Sequence, residues 1–151
     1  MDTTFSWVAV VDDDASIRRA LVRLLRSEGI KARAFANGAE FLAALDQSLP
    51  VCVVMDVQMP GMSGLDVLEE LEQRTPPVPT LLISAQHNPE IEKKAIVHAS
   101  LGFLAKPMDT QALLAIVWKT IDGARKVEIQ VPILSTYGES DLNTSSTRNI
   151  K

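Results

Sequence analysis

Val51-Cys52-Val53-Val54-Met55-Asp56 is a run of five apolar residues closed by one acid, and Gln58-Met59-Pro60-Gly61-Met62-Ser63-Gly64 behind it reads as a loop. An uninterrupted apolar run this short, with a helical pattern following, is the signature of a strand buried on both faces of a parallel sheet. The same grammar recurs on either side. Val8-Ala9-Val10-Val11 runs into Asp12-Asp13-Asp14, Leu81-Leu82-Ile83 ends at Ser84, and Gly102-Phe103-Leu104-Ala105 ends at Lys106-Pro107. In open α/β sheets ligands bind just beyond the carboxyl ends of the strands, where the strand order reverses. Carboxylates, a hydroxyl and an ammonium are therefore expected to meet there. That inventory suits a divalent cation and a phosphoryl group.

Between these runs lie amphipathic segments. Asp13 or Asp14 can cap a helix to about Ser27 with Ile17, Ala20, Leu21, Leu24 and Leu25 inward, and Gly29 stops it. Ile30 to Phe35, where Lys31 and Arg33 alternate with apolar residues, reads as an edge strand. Asn37 with Glu40 resembles a capping box opening a helix with Phe41, Leu42 and Leu45 inward. Ser63 can cap a third helix carrying Leu65, Leu68 and Leu71, and Pro76-Pro77 and Pro79 break the chain before the fourth strand. Asn88-Pro89-Glu90 starts a helix to about Ser100 with Ile91, Ala95, Ile96 and Ala99 as its stripe. Asp109 caps a last helix with Leu113, Leu114, Ile116, Val117 and Ile121, ending near Gly123. Such alternation predicts an α/β fold: a doubly wound five-stranded parallel sheet with helices on both faces. From Arg125 the pattern changes, and residues 125–151 read as a short extended segment (Val127, Ile129, Val131, Ile133) and a flexible polar tail, with no second folded domain.

The whole chain narrows the function classes. Its 151 residues suffice for one core, and a net charge of −4 gives no basic footprint for direct nucleic-acid binding. No apolar stretch approaches the roughly 20 residues of a membrane helix, and the N-terminus lacks a secretory pattern. The single cysteine, Cys52, excludes a disulfide framework and a thiolate metal site. Cytoplasmic residence follows as the expectation.

Taken alone, Asp12 to Asp14 serve as helix caps as readily as metal ligands. Asp56 changes the balance: an acid directly behind a core strand and before Met-Pro-Gly is poorly explained as a cap. A carboxylate there can attack phosphorus and form an acyl phosphate, while a hard cation held by oxygen ligands neutralises the phosphoryl oxygens. Lys106 is a point-charge phosphate binder within reach of the same site, and Pro107 behind it argues for a fixed turn, with a cis bond as one form of it. The Ser84 hydroxyl either donates to a phosphoryl oxygen or bonds backbone.

The VVDDD, MDVQMPGMSG, ISA and FLAKP stretches together resemble the receiver domain of bacterial two-component response regulators, most closely receivers that precede a LuxR-type DNA-binding domain. The likeness runs from about Val8 to Gly123, and the intervals match without gaps: 43 residues from Asp13 to Asp56, 28 to Ser84 and 22 to Lys106. The resemblance implies a receiver domain over residues 1–124 with the flavodoxin-like strand order 2-1-3-4-5. It implies Asp56 as phospho-acceptor and Mg²⁺ as cofactor. Asp13 and Asp56 would hold the ion directly, Asp12 through water, and the Gln58 backbone carbonyl would complete the set. Lys106 would pair with the phosphoryl group, and Ser84 with Phe103 would form the switch. The donor would be a sensor histidine kinase or histidine phosphotransfer protein, and the output a partner protein or a homodimer. Catalysis would be limited to the domain's own phosphorylation and dephosphorylation. His87 and His98 read as surface or packing residues.

Departures from the family pattern fall on the output face. Ser84 stands where Thr is common, Phe103 lacks a hydroxyl, Ala99-Ser100 and Gly102 replace the usual Gly-Ala and acid, and Met108 follows Lys106-Pro107 where Phe is frequent. Gln58 and Gln86 either flank the path of attacking water and set the phosphate lifetime, or are two exposed loop glutamines. Two other readings compete: a phosphate-independent interaction module of the same fold, and a phosphatase or phosphotransferase on external substrates. The second commonly wants another acid two residues beyond the nucleophile, where this chain has Gln58.

Overall fold

Trp7–Val11 (β1), Lys31–Phe35 (β2), Cys52–Asp56 (β3), Thr80–Ser84 (β4) and Gly102–Ala105 (β5) pair side by side, all parallel, in the order β2-β1-β3-β4-β5. The helices are Ala15–Ser27 (α1), Gly38–Ala44 (α2), Gly64–Glu72 (α3), Pro89–His98 (α4) and Thr110–Ser140 (α5). This computed structural model describes residues 6–140 apart from position 87, with side chains through Arg125. The expected reading of His87 thus lies outside the described residues.

Every residue of β1, β3 and β4 is buried, as continuous apolar runs require. The period-2 alternation of strands divides them between two cores. Ala9, Val11, Val53, Met55 and Leu82 face one side, against Phe41 of α2, Val67, Leu68 and Leu71 of α3 and Ala95 of α4. Val8, Val10, Cys52, Val54, Leu81 and Ile83 face the other, against Leu21 and Leu25 of α1 and Leu113, Val117 and Ile121 of α5. Fully burying a side chain such as Leu25 or Phe41 contributes about 1.5–3 kcal/mol. Burial also pushes the Cys52 thiol, in the second core, up to about 12. The chain leaves β1 for β2 by way of α1 and returns past β1 to β3 by way of α2. The strand order therefore reverses between β1 and β3, and their carboxyl ends open the crevice where such sheets bind ligands.

The caps are local and follow the sequence. Asp14, not Asp13, caps α1: its side chain accepts from the Ser16 and Ile17 amides. Asp12 and Asp13 are thereby left for other work. Asn37 accepts from Glu40 N at 2.9 Å, and Ser63 and Asp66 form a complete capping box. Asn88 accepts from Glu90 and Ile91 ahead of Pro89. Gly29, at φ +81°, ends α1 in the left-handed region.

Four expectations are corrected. β5 is not a buried strand: it pairs only with β4, forms the second sheet edge beside the expected edge β2, and is only partly buried. α4 stops at His98, and Ile96 is 64% exposed: Ala95 is buried and Ile91 packs partly against the core, while Ile96 points away from both. Ala20 is likewise exposed on α1. The last helix does not end near Gly123 but runs to Ser140, so the segment read as extended, Val127 to Ile133, is helical backbone. Gly123 has no positive φ, and the helix-forming Ala124, Arg125 and Lys126 carry the ladder past it. Most added residues then cost little once the helix exists, with Pro132 the exception because it brings no amide hydrogen to the ladder. Residues 141–151 of the expected tail lie outside the described residues.

Candidate functional site

β1 delivers Asp12 and β3 delivers Asp56 on the two sides of the strand-order reversal, with exposures of 0% and 4%. Asp12 is held on every side. Its Oδ1 accepts from Asp14 N at 2.9 Å, its Oδ2 from Lys106 Nζ at 2.9 Å, and its carbonyl from Arg18 Nη1 at 2.8 Å. Lys106 is aimed by the turn after β5, where its amide donates to Ser84 O at 2.8 Å and its bond to Pro107 is cis. The same ammonium stands 3.4 Å from Asp56 Oδ1. At that separation it is an ion pair rather than a full hydrogen bond, and Asp56 Oδ1 has no hydrogen-bond partner among the described residues.

The electrostatics follow from burial. Desolvation first, and the neighbouring Asp12 charge second, hold the Asp56 carboxyl above its ordinary range, while Lys106 pulls it back. Lys106 itself loses from desolvation but gains more from Asp12 and Asp56, so its ammonium is held above the ordinary lysine value. Asp13 is exposed and completes a set in which carboxylate oxygens of Asp12, Asp13 and Asp56 all lie within 4.8 Å of one another. Three acids this close, one with a buried oxygen committed to no donor, fit a hard divalent cation that compensates their repulsion.

Ser84, 1% exposed at the end of β4, donates from Oγ to Gln58 Oε1 at 2.8 Å and accepts from Gln86 N at 3.1 Å. Phe103 pairs in register with Leu82, two residues before Ser84, and is partly buried against the core that contains Met55 and Met59. Close approach of backbone closes the site from behind. Gly64 opens α3 with its amide on Val57 O at 2.9 Å, and a Cβ there would collide with the Asp56 carbonyl oxygen and stand 2.9 Å from Val57 Cα.

A family model described as the response regulator receiver domain matches residues 8–118. The chain belongs to that family. Among curated proteins it is 34% identical over 139 residues to the DNA-binding transcriptional regulator NtrC of Salmonella typhimurium, covering 88% of this chain and 30% of that protein. It is 35% identical over 124 residues to Nodulation protein W of Bradyrhizobium diazoefficiens, covering 82% of this chain and 55% of that one. The chain thus spans only about a third to a half of the length of these relatives. A response regulator receiver protein from Burkholderia phymatum superposes with a TM-score of 0.68 at 37% identity, over 78% of this chain and 95% of its own.

The receiver fold brings together Asp12, Asp13, Asp56 and Lys106, which the sequence singled out separately. It joins Ser84 to Gln58 through the glutamine's side chain, whereas the sequence expectations for Gln58 were a backbone carbonyl on the metal and a side-chain amide flanking the path of attacking water. Gln58 is half-buried rather than an exposed loop residue, while Gln86 is exposed and touches Ser84 through its amide. Sequence reasoning missed Arg18 and Gly64. A basic residue on the first turn and a half of a helix gives no signal that it will bond a strand-end carbonyl. A small residue directly behind the Ser63 cap was the one available sign of a close approach.

Proposed function

We propose that this receiver takes a phosphoryl group onto Asp56. The observation that carries the reading is the position of that carboxylate: buried at the end of β3, one oxygen without a hydrogen-bond donor, an ammonium 3.4 Å away and two further acids within 4.8 Å. A carboxylate oxygen attacks phosphorus, the new O–P bond forms as the P–N bond of a phosphohistidine breaks, and the leaving imidazole takes up a proton. The donor is a sensor histidine kinase or a histidine phosphotransfer protein. Asp13 and Asp56 would hold Mg²⁺ directly, Asp12 through water, and the Gln58 carbonyl would complete the protein ligands. When bound, that ion neutralises charge on the phosphoryl oxygens. Lys106 exchanges Asp12 for a phosphoryl oxygen, which is a short movement for an ammonium already placed between the two acids.

The switch follows from the same site. Ser84 turns its hydroxyl to the phosphoryl group, and Phe103 moves inward on β5, altering the face made by α4, β5 and α5. That face controls a partner protein or a homodimer, with no direct contact to nucleic acid and no enzymatic activity beyond the domain's own phosphorylation and dephosphorylation. No described helix is long and apolar enough to cross a membrane, in keeping with a cytoplasmic signalling role. The finer likeness to receivers preceding a LuxR-type DNA-binding domain rests on the sequence motifs alone.

Incubation with Mg²⁺ and acetyl phosphate, followed by intact-mass measurement, tests the reading. A gain of one phosphoryl group that is absent in Asp56→Asn and absent without Mg²⁺ is expected. No gain, together with no binding of beryllofluoride, would favour the phosphate-independent interaction module.

A further inference from the structure

We propose that Gln58 is a positioning residue that holds the Ser84 hydroxyl in its resting orientation and must release it before that hydroxyl can serve a phosphoryl group on Asp56. The inference deepens the function proposed above and rests on it.

Ser84 is buried, so its hydroxyl has no water to fall back on and its partners decide where its proton points. Three contacts surround it, and two of them compete for the proton. Oγ stands 2.8 Å from Gln58 Oε1, 3.4 Å from Gln86 O, and 3.1 Å from Gln86 N. A hydroxyl carries one proton and two acceptor lone pairs. The amide of Gln86 uses a lone pair, and of the two acceptors the one at 2.8 Å takes the proton, since the other lies at the long limit of a hydrogen bond. The proton of Ser84 is thus committed to Gln58. A phosphoryl oxygen needs that same proton, so the two bonds exclude each other, whereas the Gln86 amide contact can persist through the change.

Gln58 is suited to such a hold. Its Nε2 is buried with no hydrogen-bond partner among the described residues, so the Ser84 contact is the side-chain bond that fixes the amide. The bond also spans 26 residues and ties the loop after β3, which leaves Asp56, to the end of β4. Resting state and switched state then differ by one exchange of acceptor at a single hydroxyl. A neutral hydrogen bond of ordinary net strength biases that exchange about five-fold toward the resting state.

The test uses the whole chain with Mg²⁺ and beryllofluoride as the phosphoryl mimic, after acetyl phosphate has established by intact mass that the wild type is phosphorylated. Apparent beryllofluoride affinity and the NMR position of the Ser84 amide are measured for Gln58→Met and Gln58→Ala. Each is then combined with Ser84→Ala and with Ser84→Thr. Both Gln58 variants are expected to bind beryllofluoride about five-fold more tightly, and to shift the free-state Ser84 amide toward its bound position. The gain should vanish with Ser84→Ala and return with Ser84→Thr, which restores the hydroxyl. An equal gain in the Ser84→Ala background would overturn the inference, since Gln58 would then act on the phosphoryl group or its water directly. Unchanged affinity in both Gln58 variants would overturn it as well. If the wild type neither gains mass nor binds beryllofluoride, the phospho-acceptor reading itself fails and the inference falls with it.

Discussion

Lys106 sits closer to Asp12 than to the proposed acceptor Asp56: Nζ is 2.9 Å from Asp12 Oδ2 and 3.4 Å from Asp56 Oδ1. In the resting molecule one ammonium therefore compensates two buried acids, and it does so unequally. Lys106→Met should leave both carboxylates without their ammonium and destabilise the metal-free protein by about 3–5 kcal/mol. Urea denaturation reads the loss, and a change under about 0.5 kcal/mol would show that the pair carries no structural load.

Asp56 gives the opposite sign. Burial and the Asp12 charge raise its carboxyl in the folded state, so the fold binds that proton more tightly than the unfolded chain does. A raised carboxyl costs nothing below the unfolded value near 4; the cost grows as pH rises through the folded value and is complete above it. Asp56→Asn should accordingly stabilise the metal-free protein at pH 7, and the advantage should fade as the pH is lowered toward about 4. Thermal melts of the two proteins across that range, in the presence of a chelator, measure it.

Asp13 separates metal binding from folding. It is exposed and makes no described side-chain ion pair, so Asp13→Asn should alter metal-free stability by less than about 0.5 kcal/mol. Saturating Mg²⁺, at about 100 times its dissociation constant, should stabilise the wild type by about 2.7 kcal/mol. Most of that gain should be missing in Asp13→Asn. An equal Mg²⁺-dependent melting shift in the two proteins would remove Asp13 from the ligand set.

Two glycines should respond very differently to a methyl group. At Gly64 the added Cβ meets the carbonyl of Asp56 and the backbone of Val57, neither of which can rotate away. Gly64→Ala should cost about 3 kcal/mol, at the upper end of overpacking costs, and disturb Asp56, reducing acetyl-phosphate labelling. Gly29 has open space around its Cβ but a φ of +81°, so Gly29→Ala should cost only about 1 kcal/mol and leave labelling unchanged. Denaturation and intact mass on both variants check the contrast.

What could be read in the sequence was what depends on neighbours along the chain. β1, β3 and β4 are continuous apolar runs because both of their faces are covered, and Asp14, Asn37, Ser63 and Asn88 bond amides two or three residues away. The acids and Lys106 were legible as a set because parallel strands put all their carboxyl ends on one side. The exposure of β5 was not, since a four-residue apolar run looks the same at an edge as in the middle of a sheet. Nor was the length of α5, where alternating β-branched residues imitate a strand although the preceding turns already fix the backbone. Long-range side-chain geometry was the least visible. Ser84 reaches Gln58 across 26 residues, and Lys106 reaches Asp12 across 94.

Cys52 has a practical corollary. It is the single thiol in the chain, sealed in the core, and burial holds it protonated at neutral pH. Alkylating reagents will therefore pass over the native fold. A cysteine introduced on the surface of α4 would take up a spin label or dye alone, and the natural protein needs no cysteine removed beforehand.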